Sequence, residues 1–148
     1  MIKQLNDSYI FVGLNPAAHD QAAQSIQPWG NFHSGDKKRS QDYKLRYALC
    51  GTEYWGAFIT DVYPEIIDTD SNSTMKKVTL KGTEDSVKTI LDIWQLLGER
   101  ATIVAIGNKA YSVLRKWLPT DIVLKKIRHY SSRMNIDQYK ETVLQQLR

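Results

Sequence analysis

The 148-residue chain predicts a three-layer α/β/α fold with a central four-stranded parallel sheet, and three observations carry that prediction. Four short apolar runs recur along it, each stopped by Gly, Pro or a polar cluster. Helical patterns lie between them, the alternation that builds a parallel sheet with helical crossovers. The runs are apolar at nearly every position, which suits strands covered on both faces.

The first strand is expected over Tyr9–Leu14, where Tyr9-Ile10-Phe11-Val12 runs into Gly13-Leu14-Asn15-Pro16. The second spans Ala57–Tyr63 and is stopped by Pro64. The third is Thr102–Ile106, followed by Gly107, and the fourth is Ile122–Arg128. Gln41–Leu49 reads as a helix. Val87, Ile90, Leu91, Trp94 and Leu97 recur at helical spacing, with Thr83 as the expected cap and Glu84 and Asp85 suiting the dipole. Ala110, Val113, Leu114 and Trp117 form the next stripe, with Asn108 as its cap and Pro119 beyond its end. Ile136, Tyr139, Val143, Leu144 and Leu147 form the last, begun by Asn135 with Gln138 three residues on. These Trp and Leu stripes are read as core. Ala17–Ser40 and Asp68–Lys81 fit neither period and read as loops.

No repeat or boundary divides the chain, so residues 1–148 are expected to form one domain. No apolar run approaches the roughly 20 residues that span a bilayer, and the N-terminus lacks a signal-peptide layout. A cytoplasmic monomer without membrane contact is expected. The lone Cys50 excludes a disulfide framework within the chain and an all-cysteine metal cluster, and is read as a small core residue. Neither a metal nor a cofactor is expected. The net charge of +4 is compatible with nucleic acid. Two basic clusters, Asp36-Lys37-Lys38-Arg39 and Lys125-Lys126-Ile127-Arg128-His129, flank the loops expected at the strand ends.

In an open parallel sheet ligands bind outside the carboxyl ends of the strands. Asn15 follows the first strand and His129-Tyr130-Ser131-Ser132-Arg133 follows the fourth. An amide and an imidazole there suggest a site for a neutral polar ring with a poor leaving group. There is no phosphate-binding Gly-rich loop with its Lys and no GxGxxG. The His-x-Glu with paired Cys of base deaminases and the Gly-x-Ser-x-Gly elbow are also absent.

Four segments, in order, resemble motifs of the uracil-DNA glycosylase superfamily, closest to its mismatch-specific and single-strand-selective branches. Gly13-Leu14-Asn15-Pro16 is similar to the Gly-x-Asn-Pro water-binding segment, and Phe58-Ile59-Thr60-Asp61 to the strand whose last residue reads the base. Ala105-Ile106-Gly107-Asn108-Lys109-Ala110 is similar to the Leu-Gly-x-x-Ala element, and His129–Arg133 to the His-Pro-Ser-Pro-Arg segment. The resemblance runs from about Tyr9 to Asn135. It implies a metal-independent glycosylase that flips a damaged or deaminated base from DNA and hydrolyses its N-glycosidic bond, with Asn15 orienting water and His129 donating a hydrogen bond to the departing base. Gly13, Leu14, Pro16, Phe32 and Asp61 would line the base site, with Phe32 as the stacking platform and Trp29 or Tyr63 as rivals. Lys37, Lys38, Arg39, Asn108, Ser131, Ser132 and Arg133 would contact DNA.

Three departures bear on that expectation. Tyr130 replaces a Pro and leaves its loop freer in φ. Ala17 stands where a Gly often follows Asn-Pro. Asp61 stands where uracil-reading members carry Asn, and an ionised carboxylate can only accept hydrogen bonds, which suits an amino-bearing base better than uracil. Two rivals stay open: a module of the same fold that holds a nucleobase or DNA without chemistry, and a hydrolase of small nucleosides.

Overall fold

The computed structural model describes residues 5–16 and 41–148. Its elements run β1 (Asn6–Gly13), α1 (Tyr43–Leu49), β2 (Ala57–Asp61), α2 (Ser71–Lys77), α3 (Leu80–Leu96), β3 (Thr102–Ile106), α4 (Asn108–Trp117), β4 (Leu124–Ile127) and α5 (Ile136–Leu147). The strands form one four-stranded sheet in the order β2-β1-β3-β4, with every pairing parallel. This is the predicted fold class.

Side-chain alternation divides the core between two faces. Ile10, Val12, Ile103 and Ala105 pack with Val87, Ile90, Val113 and Leu114 of α3 and α4. Phe11, Val104, Ile106 and Ile127 pack with Leu45, Ala48, Tyr139 and Val143 of α1 and α5. Ile10, Phe11 and Val12 are each 0% exposed, so β1 is covered on both sides. Burying one such side chain contributes about 1.5–3 kcal/mol. The chain leaves β1 for β2 on one side and later crosses to β3 on the other. Between β1 and β3 the order therefore reverses, and the crevice at such a point is where ligands of open α/β sheets sit.

Several elements differ from the sequence expectation. A helix, α2, lies within the stretch read as a loop; Asp70 caps it by accepting from the Asn72 N–H. The long helix starts at Leu80, capped by Thr79 accepting from the Gly82 N–H. Thr83 is buried inside that helix, its hydroxyl paired with the Tyr63 hydroxyl at 2.9 Å. Asn108 is not a cap: Gly107 occupies that position and α4 has no side-chain cap. Cys50 is exposed, because it forms the C-cap of α1 where the chain turns away from the core. Trp94 and Trp117 pack against the core from its partly buried margin. The expected capping box of Asn135 and Gln138 is present. Among the described residues no helix is long and apolar enough to cross a membrane.

Candidate functional site

The carboxyl ends of the four strands form one rim: Asp61 ends β2, Gly13–Pro16 follow β1, Gly107 follows β3, and His129 lies just beyond β4. The segment after β1 stays stitched to its neighbour. The Val62 N–H donates to the Gly13 carbonyl at 2.8 Å, Tyr63 N–H to Leu14 at 2.9 Å, and Asp68 N–H to Pro16 at 3.1 Å. The Asn15 amide nitrogen donates into three carbonyls, those of Pro16 (3.1 Å), Ile66 (3.1 Å) and Asp68 (2.9 Å). Two N–H groups shared among three acceptors fix the amide plane, and no hydrogen bond among the described residues engages Oδ1. The Leu14 side chain is in the core, so Leu14, like Gly13, offers a ligand backbone only.

His129 is held differently. The Ser131 N–H donates to its Nδ1 at 3.1 Å, and the Ser131 hydroxyl lies 2.8 Å from the same atom. A ring nitrogen that accepts from a backbone N–H carries no proton, so the proton of the neutral ring sits on Nε2. Burial lowers the imidazole pKa to about 4. The group is therefore a neutral Nε2–H donor at neutral pH. Gly107 makes room for it: a Cβ there would lie 3.2 Å from the His129 Cβ and 3.4 Å from its Cδ2. Gly107 also has φ 90° and ψ 169°, a region nearly restricted to glycine. Tyr130 packs on the imidazole with ring centroids 4.2 Å apart.

Beneath this loop lie charged groups, of which sequence reasoning missed Lys44 and Asp42. Lys44 of α1 is 6% exposed. Its ammonium donates to the carbonyls of Ser132 at 3.2 Å and Met134 at 2.8 Å. Asp42 and Asp61 are buried as well. Ile59 packs against the α1/α5 cluster, and Asp61 shares its face of β2. Burial and the nearby charges of Asp61 and Asp42 push the Tyr130 hydroxyl pKa up. Asp61 and the His129 loop are thus electrostatically coupled across the rim.

The remaining expected residues separate. Both Ser131 donors turn inward to His129, and the buried Ser132 hydroxyl has no hydrogen-bond partner among the described residues. Arg133 is exposed. Asn108 accepts from the Lys126 ammonium at 3.1 Å. Lys125 points to the opposite layer and donates to the Leu147 carbonyl at the end of α5, so it is not at the mouth of the site. Ala17, Trp29, Phe32, Lys37, Lys38 and Arg39 lie outside the described residues. A groove of about 280 Å³ between β2 and α3, lined by Thr60, Glu65, Asp85 and Ile93, contains neither Asn15 nor His129. Among the described residues no group of three His, Cys, Asp or Glu could hold a metal ion. No protein-family model matches the chain, and no curated protein matches it.

Proposed function

We propose that the protein is a metal-independent DNA-base glycosylase. The observation that carries this reading is the neutral His129, held as an Nε2–H donor on the same rim as Asn15, whose Oδ1 no hydrogen bond among the described residues engages. The strands they follow are two spacings apart in the sheet, about 10 Å, which leaves room for one flipped base between them. In the reaction a water oriented by Asn15 Oδ1 forms a bond to the sugar C1′ as the C1′–N bond breaks. The bond's electron pair moves onto the base, where the His129 Nε2–H meets the developing negative charge, and the proton lost by the water goes to solvent or the base. A donor already neutral and desolvated needs no reorganisation when that charge appears. Asp61, acceptor-only when ionised, favours a base with an exocyclic amino group.

The three bonds of the Asn15 amide also make it the anchor of its loop, and this favours the rival reading of a module that holds nucleobase or DNA without cutting. A panel of oligonucleotides carrying uracil, hypoxanthine, xanthine, alkylated cytosine and mismatches, assayed for alkali-labile abasic sites under enzyme excess, separates the two. The expected result is cleavage of at least one member, with His129→Ala slowing single turnover by about 10²–10³-fold while DNA affinity is kept. Binding without abasic sites across the panel would leave the module.

A further inference from the structure

Between Gly107 and Arg128 the chain carries six Lys and Arg against one carboxylate, Asp121, so this segment alone exceeds the net charge of +4 of the whole protein. It forms α4 and the edge strand β4. None of those six cations takes part in the ion pairs among the described residues, which join Lys77 to Asp68, Lys81 to Asp85 and Arg100 to Asp7. The partners of Lys109, Arg115, Lys125 and Lys126 are neutral. The Lys126 ammonium lies 5.3 Å from the centre of the Tyr111 ring, and Arg115, one helical turn beyond Tyr111, lies 6.0 Å from it. Lys126 also bonds the Asn108 amide oxygen at the rim. An aromatic face and an amide orient cations without cancelling their charge. The other flank repeats the motif with the charge cancelled. There Lys140 sits 5.1 Å from the Tyr47 ring, but the Tyr47 hydroxyl bonds Asp137, and Glu141 follows Lys140 on α5.

From this contrast we infer that the Lys126–Tyr111–Arg115 stripe, running from the rim down the outer face of α4, is a track for the phosphate backbone of DNA. The inference deepens the proposed function, on which it rests for the identity of the polyanion. Cations from β4 and α4 that flank one aromatic ring can meet successive phosphates without reading sequence.

The test measures affinity for a fluorescein-labelled mismatched duplex against salt. Arg115→Gln with Lys126→Gln should lower the log–log salt slope by about 2, near 0.9 for each lost phosphate contact. Lys88→Gln with Lys140→Gln, an equal loss of charge elsewhere, should leave the slope unchanged. Equal reductions by both pairs would mean that only net charge matters and would overturn the track. Salt-dependent binding untouched by the first pair would overturn the track while leaving the DNA reading standing. No binding by the unmodified protein would remove both. An equal loss of affinity by the first pair for polyglutamate would make the stripe a general anion face, not a DNA track.

Discussion

The loops after β1 and β4 carry the two candidate reacting groups and are built on opposite plans. The first is held by main chain: Gly13, Leu14 and Pro16 continue the pairing of the sheet, and Asn15 adds its amide to carbonyls of the adjoining segment. The second is held by side chains from distant parts of the sequence. Lys44, 88 and 90 residues away, bonds the Ser132 and Met134 carbonyls. Gly107 leaves the imidazole its space. Just before the loop, Tyr139 and Gln146 of α5 bond the backbone of Arg128. Under the proposed function, a group that only holds water can tolerate a fixed frame, whereas a donor to the departing base needs a chosen tautomer, which depends on side chains. The second loop is therefore the more vulnerable to substitutions far from the chemistry.

The largest effect on that difference should come from Lys44→Met. It removes the ammonium, leaving the Met134 carbonyl without its donor and the Ser132 carbonyl with only the Met134 N–H, at about 1–3 kcal/mol for each lost bond. We expect a loss of about 2–4 kcal/mol in urea unfolding and displaced ¹⁵N shifts of the His129 ring as the loop relaxes. Asn15→Ala should lower stability by about 1–2 kcal/mol, because the main-chain pairing around it survives, and should leave the His129 signals in place. Unmoved His129 signals in Lys44→Met would show that the loop holds itself, and the contrast would collapse.

A smaller effect follows from pH. The folded pKa of His129 is about 4 against an ordinary 6.5. Between these values the unfolded chain binds a proton that the folded one refuses, so stability falls as pH drops from 6.5 towards 4. The full shift corresponds to about 3 kcal/mol, and partial exposure of the ring reduces this to about 2. Stability of the unmodified protein should thus fall more steeply across this window than that of His129→Gln, whose side chain cannot protonate. Carboxylate titration is common to both and cancels in the comparison. Parallel curves would place His129 in water and remove the reason for its neutrality.

How much of this was legible in the sequence differs between the loops in the same way. The β1 side could be read because its cause is local: an apolar run closed by Gly13 and Pro16 ends a strand, and Asn15 stands at that strand end. The parallel sheet and the capping box of Asn135 are local for the same reason. α2 was missed because its turns, from Ser71 to Lys77, carry little apolar periodicity, and the helix rests on the Asp70 cap. Thr83 precedes two acids as a cap would, yet the chain enters the helix four residues earlier at Thr79, where the backbone is extended. Lys44 was invisible because lysine is ordinarily exposed and its partners lie far along the chain. Cys50 misled for the opposite reason, since cysteine is ordinarily buried and here closes a helix at the surface.

The smallest structural effect, and the sharpest chemical one, is expected at Asp61, which faces Gly13 across the β1–β2 pairing on the backbone-held side. Changing its carboxylate to an amide alters one atom's hydrogen-bonding sense and leaves the register intact, so Asp61→Asn should unfold within about 1 kcal/mol of the unmodified protein. Its consequence should appear in base choice. A carboxylate opposes a carbonyl edge that an amide can satisfy, and leaving such a group unpaired costs about 1–3 kcal/mol, or roughly 5–150-fold in relative rate. On matched oligonucleotides at roughly pH 8, Asp61→Asn should gain on uracil relative to an amino-bearing base by a factor in that range. The ¹⁵N shifts of His129 should meanwhile stay where they are. If the substitution moves those shifts and leaves base preference unchanged, Asp61 supports the His129 loop through Tyr130 instead of reading the base, and the two halves of the rim are less independent than their hydrogen bonding indicates.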